Sequence, residues 1–193
     1  MGRPNLTEQR TREILDAFER CVSRFGIEGS SLDRIAEEAG MKRSILRHYM
    51  GNRDALVLAL ADRVITKYEA GFDEYLEATA RECGVDQLLG YLFPSTTQST
   101  TESVMVIESL IALGASDGEI QEKMKGYIDR FVGRCAALLQ GDFPSVPKSR
   151  CWAVAYGVVS ICFNQESLVS LELPSKYAKA AKRTAQILID SLG

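Results

Sequence analysis

Residues 32–49 read Leu32-Asp33-Arg34-Ile35-Ala36-Glu37-Glu38-Ala39-Gly40-Met41-Lys42-Arg43-Ser44-Ile45-Leu46-Arg47-His48-Tyr49, and the fold turns on their spacing. A short helix over Leu32–Ala39 stops at Gly40, a residue free to take the positive φ of a tight turn. A second short helix follows over roughly Lys42–Met50. Ala36 is small and lets the second helix come close to the first. Ile35, Met41 and Leu46 are apolar where the two helices and a preceding helix meet. Ser30 and Ser31 offer an N-cap, and Asp33 stands where a capping-box partner for Ser30 belongs.

An ideal helix turns about 100° per residue. With Leu46 inward, Tyr49 and Met50 also turn inward, while Ser44, Ile45, Arg47 and His48 turn outward. Lys42 and Arg43 sit at the exposed N-terminal end. Residues 41–53 hold Lys42, Arg43, Arg47 and Arg53 and no acid, although the whole chain carries a net charge of -3. A basic, polar face with one aliphatic member suits a DNA groove: Arg and Lys pair with guanine edges, and an aliphatic side chain meets a thymine methyl. A basic run alone is more often a solvated helix face. The small–glycine–apolar spacing, the caps and the missing acids favour a helix–turn–helix, whose second helix enters the major groove.

The rest of the chain also reads as helix, because apolar residues recur at three and four. The first helix covers about Thr7–Phe25, with Ile14, Phe18, Cys21, Val22 and Phe25 on one stripe and Gly26 and Gly29 as stops. After the Gly51-Asn52 turn a long helix is expected over about Arg53–Ala80. Others are expected over about 85–93, 101–114, 117–140, 148–166 and 175–192, with Gly141, Pro144 and Pro147 ending the 117–140 helix and Pro174 opening the last. Residues 94–101 form a polar loop. The reading is an all-α fold of nine helices, without internal repeats. A DNA-binding part over 1–52 precedes a second part over 53–193.

Composition narrows the class. The chain has 193 residues, 46% hydrophobic and 25% charged, which matches a globular protein and excludes a wholly disordered one. A chain of this mass buries about 70% of its surface, enough for a real core. No apolar run reaches the roughly 18 residues of a membrane span, and the N-terminus lacks the apolar stretch of a secretion signal. A cytoplasmic location and no membrane partner are expected. Five cysteines, an odd number with no Cys-x-x-Cys, fit reduced thiols. One histidine, His48, makes a metal site unexpected, and no cofactor motif is present. An enzyme needs a nucleophile–base pair, a metal cluster or a phosphate loop, and none is visible. An all-helical small-molecule binder without a DNA role is the other alternative, and the basic face argues against it.

The segment Ile14-Leu15-Asp16-Ala17, Gly26, Ser31, Ile35-Ala36, Ala39-Gly40-Met41, Leu46 and Asn52-Arg53-Asp54-Ala55-Leu56 resembles the tetracycline-repressor-like (TetR) family of bacterial transcriptional regulators. The resemblance implies an α-helical homodimer that reads a double-stranded DNA operator and releases it on binding a small effector. It implies that Ser31 caps the second helix and touches phosphate. Lys42, Arg43, Ser44, Ile45 and His48 fall on recognition-helix positions, and Arg53 on the basic position that contacts the DNA backbone. The family more commonly has glycine at Ser44, an aromatic at Arg47 and histidine-phenylalanine at Tyr49-Met50. Arg47 therefore either replaces an aromatic phosphate contact or reads a base. Arg3, Arg10 and Arg12 form an N-terminal arm, either for phosphate or the minor groove, or simply solvated.

In the family the last two large helices, here 148–166 and 175–192, form the dimer bundle. Ala178, Ala181, Ala185, Leu188 and Leu192 recur at helical spacing, with Tyr177 and Ile189 flanking. The operator is then an inverted repeat. The effector cavity is expected among residues 85–166. Met105, Glu108, Tyr127, Phe131, Trp152, Tyr156, Phe163 and Asn164 are its candidates, though such a stripe is more often plain core. They suit an apolar or amphipathic small molecule. Glu108 lies in the otherwise apolar run Val104–Leu113, where it either fixes a cationic or hydroxylated ligand or faces water.

Overall fold

The computed structural model describes residues 6–94 and 101–193. These residues form nine α-helices and one 3-10 turn, with no strand among them. The helices are α1 (Leu6–Gly29), α2 (Leu32–Glu38), α3 (Arg43–Met50), α4 (Arg53–Ala78), α5 (Gly84–Leu92), α6 (Thr101–Leu113), α7 (Gly118–Asp142), α8 (Lys148–Ser167) and α9 (Lys176–Asp190). The 3-10 turn is Val169–Leu171. Of the expected polar loop, residues 95–100 lie outside the described residues, as does Arg3 of the arm.

The chain groups into two compact units. One comprises Met1–Thr66 with Thr101–Met124, the other Lys67–Thr100 with Lys125–Gly193. The grouping cuts α4 and α7 within their length, beyond the position-52 boundary that composition suggests.

In the first unit Ile14, Phe18, Ile35, Leu46, Leu56, Leu60, Leu110 and Ile120 are fully buried. The helical run of α1 breaks at Gly26, whose φ of 68 and ψ of 173 are not helical. That break turns Phe25 off the expected stripe: its ring is 49% exposed. The Arg34 guanidinium lies 4.2 Å from the ring centroid. The capping box also differs from expectation. Ser31, not Ser30, caps α2, accepting from the Arg34 amide at 3.2 Å. Ser30 is fully buried and donates to the Gly26 carbonyl at 2.7 Å, because the chain doubles back at Gly26. Arg63 of α4 joins α1 by ion pairs to Asp16 and Glu19. Lys123 of α7 reaches Asp62 of α4 at 2.6 Å.

The second unit is centred on aromatic rings. Phe72, Tyr91, Tyr127 and Phe131 lie with neighbouring centroids 4.7–6.4 Å apart, and the Arg134 guanidinium lies over Phe72. Such contacts contribute beyond the area they bury. The α8 and α9 helices lie against each other, burying Cys151, Ala155, Val158, Val159 and Cys162 on one and Ala185 and Ile189 on the other. Gly141 does not end α7, which runs on to Asp142. Of the α9 stripe, Ala185, Ile189 and Leu192 are buried, Ala181 and Leu188 are half-buried, and Ala178 and Tyr177 are exposed.

Candidate nucleic-acid interface

Leu46 is the only buried residue of α3 and anchors the helix against the unit. Its opposite face is therefore free. Ser44, Ile45, Arg47 and His48 are exposed, as is Lys42, which precedes the first turn without making a side-chain cap. Gly40 takes a φ of 64, and the Met41 amide donates to the Ala36 carbonyl at 2.9 Å, closing the turn between α2 and α3. The His48 ring meets Tyr49 edge-on at 5.1 Å. Tyr49 and Met50 are half-buried, so Tyr49 offers an edge rather than a whole ring. Ser31 is exposed at the start of α2.

The two acids of α2 with ion pairs point to different partners. Glu38 receives Arg20 at 2.6 Å and Arg24 at 3.2 Å from α1. The Arg20 hydrogen bond, with the Arg24 charge beside it, holds its carboxyl below the usual carboxylate range. Asp33 of α2 accepts from Arg43 of α3 at 2.8 Å. Sequence reading assigned Asp33 to a cap and missed this pair, because the partners are 10 residues apart and meet only once the Gly40 turn is made.

Arg10 lies in the first turns of α1 and pairs with Glu13 at 2.7 Å. With Leu6, Ser44, Ile45, His48 and Tyr49 it lines a cleft of about 310 Å³. Arg12 is exposed further along. Arg53 is placed differently from the exposed α3 set: its guanidinium donates to the Ile27 carbonyl at 2.7 Å and the Ser30 carbonyl at 3.0 Å.

The effector candidates are not one group. Met105 and Glu108 are half-buried on α6, in the first unit. Tyr127 and Phe131 are buried in the second, their rings stacked at 6.1 Å. Burial pushes the Tyr91 hydroxyl up to about 12 and raises that of Tyr127 as well. Trp152 and Tyr156 lie apart from the buried Tyr127–Phe131 pair, on the surface of α8. They stack at 5.6 Å on the outside of α8, 44% and 52% exposed. Phe163 is half-buried, and exposed Asn164 lines a cleft of about 610 Å³ between α8 and α9.

Two short helices at a glycine turn, with an exposed basic second helix, define a helix–turn–helix protein. Residues 14–60 match the model of bacterial regulatory proteins of the tetR family. The transcriptional repressor AcnR of Corynebacterium efficiens is 38% identical over 50 residues, 26% of this chain and 27% of that protein. The transcriptional regulator PksA of Bacillus subtilis is 40% identical over 58 residues, 30% of this chain and 28% of its own. The match thus spans little more than a quarter of these relatives. A TetR transcription regulator from Haloarcula marismortui superposes over 95% of this chain and 98% of its own, with a TM-score of 0.77 at 15% identity. Over residues 14–60 the chain is thus similar to the DNA-binding segment of tetR-family regulators, and over nearly its whole length it shares the fold of solved TetR regulators.

Proposed function

We propose that this chain is a DNA-binding transcriptional regulator, a repressor of a palindromic operator that a small-molecule effector releases. The observation that carries the reading is the exposed face of α3, basic and held outward by buried Leu46. Lys42, Arg43, Ser44, Ile45, Arg47 and His48 read the major groove, with the edge of Tyr49 beside them. Ser31 meets phosphate. Residues 1–52 serve DNA reading, and 53–193 serve effector binding and dimerisation.

The dimer forms through 148–166 and 175–192. Exposed Trp152, Tyr156, Tyr177 and Ile187 support this, because rings and aliphatic chains of this size on one pair of helices suit a protein surface. The effector is an apolar or amphipathic molecule met by Tyr127 and Phe131, with Asn164 as a further contact. It acts by favouring a dimer whose recognition helices no longer match the groove spacing. No helix among the described residues is long and apolar enough to cross a membrane.

The test is selection of duplexes from a random-sequence library on the purified protein at two salt concentrations. Phosphate-driven binding falls steeply with salt, whereas base readout sets which sequence survives. Enrichment of one inverted repeat, its half-sites about one helical turn apart, is the expected result. Duplexes retained without any shared sequence, or none retained by protein refolded free of ligand, would sink the reading.

A further inference from the structure

We infer that Arg53 is a positioning residue for DNA binding, one that holds the two-helix reader in place by hydrogen bonding rather than offering its charge to a phosphate. The inference rests on the DNA-binding reading above. Arg53 opens α4, immediately after the α3–α4 turn. Its guanidinium reaches back 23 residues to the Ser30 carbonyl and 26 to the Ile27 carbonyl. Between those ends lie the whole of α2, the Gly40 turn and the whole of α3. One side chain therefore closes a loop that contains both reading helices.

The end it grips is firm. Ser30 is fully buried, Ile27 nearly so, and the Ser30 hydroxyl is bound to Gly26. The Ile27 carbonyl also accepts from the Ser30 amide at 3.1 Å, whereas Arg53 is the partner the Ser30 carbonyl gains from α4, and the rigid arginine fork is pre-shaped to serve both carbonyls at once. Lysine carries the same charge on a single ammonium and lacks that fork. The charge of Arg53 is also answered locally, by Glu28 at 3.8 Å. On the other side of the junction, the Asn52 side chain accepts from the Ala55 amide at 2.8 Å, so α4 starts at a defined place. Loss of the fork frees the α1–α2 turn from α4, and the stance of α3 in the groove loosens with it.

The experiment compares the full-length protein with Arg53→Ala, Arg53→Lys and Arg53→Gln in gel-shift titrations over a salt series. The probe is the duplex enriched by the selection above, and circular dichroism and melting curves are recorded in parallel. Alanine and lysine are both expected to weaken binding by about tenfold at temperatures well below melting. The slope of log affinity against log salt should not change, because no phosphate contact is removed. Rescue by lysine, or a slope reduced by about one in the alanine protein, would show a direct phosphate contact and overturn the inference. Lower melting with unchanged affinity would overturn it too, leaving only a structural bond. If alanine fails to fold, the lysine and glutamine proteins decide by the same two readouts. Failure of the parent protein to bind any duplex would instead remove the DNA-binding reading, and this inference with it.

Discussion

Helices α3 and α8 both turn large side chains to solvent, with opposite chemistry. In α3 a single buried residue, Leu46, carries a face of Arg43, Ser44, Ile45, Arg47 and His48. In α8 five buried residues carry Trp152 and Tyr156, and from Cys151 to Gln165 there is no charged side chain at all. Exposed guanidinium groups interact well with phosphate and base edges, whereas an uncharged aromatic face gains most from being covered by another apolar surface. The difference supports the proposal of nucleic acid for one helix and a second copy of the chain for the other.

The comparison breaks most easily at Leu46. Leu46→Ala should cost about 2–5 kcal/mol of stability, read by denaturant unfolding, and should abolish DNA binding at growth temperatures. A loss under about 1 kcal/mol would mean that α3 is held some other way. The counterpart on α8 is the double change Trp152→Ala and Tyr156→Ala. It should weaken dimerisation by about 2 kcal/mol or more in sedimentation experiments, while DNA contacts of the monomer stay intact. A dimer of unchanged affinity would deny α8 its assigned partner.

Arg47→Ala sharpens the other side. It should cost about 1–3 kcal/mol and relax preference at one base pair if Arg47 reads a base. A uniform loss across sequences, with a shallower salt slope, would assign it to phosphate. The smallest expected effect concerns pH. Burial pushes the Cys135 thiol up to about 12 and raises Cys162 as well. An unfolded thiol ionises near roughly 8.5, so these groups contribute stability fully below that pH. The contribution is lost as pH rises towards 12, and replacing Cys135 by alanine should flatten the alkaline fall of the melting temperature. An unaltered alkaline limb would show that other groups govern it.

Much of this was legible beforehand, for identifiable reasons. Nine helices follow from three-and-four spacing and from glycines whose φ values of 68 and 64, at Gly26 and Gly40, bear out the stops. The outward set on α3 follows from one inward leucine. Phe25 misled because it is the last residue before the Gly26 break, and its ring lies at the surface against the Arg34 guanidinium rather than inside. The Asp33–Arg43 pair and the Arg53 fork were invisible because each joins residues that only the completed fold brings together. Trp152 and Tyr156 could not be placed from sequence, since α8 is apolar on nearly all sides and periodicity then loses its direction.

The stacked pair on α8 also makes this protein its own reporter. Trp152 is the single tryptophan of the chain. It is 44% exposed, on the surface proposed for the partner copy. Excited at a wavelength that its tyrosines do not absorb, the whole molecule thus emits from one known spot. Dilution through the dimer dissociation constant should shift the emission to the red as water reaches the ring, giving an unlabelled optical signal of assembly.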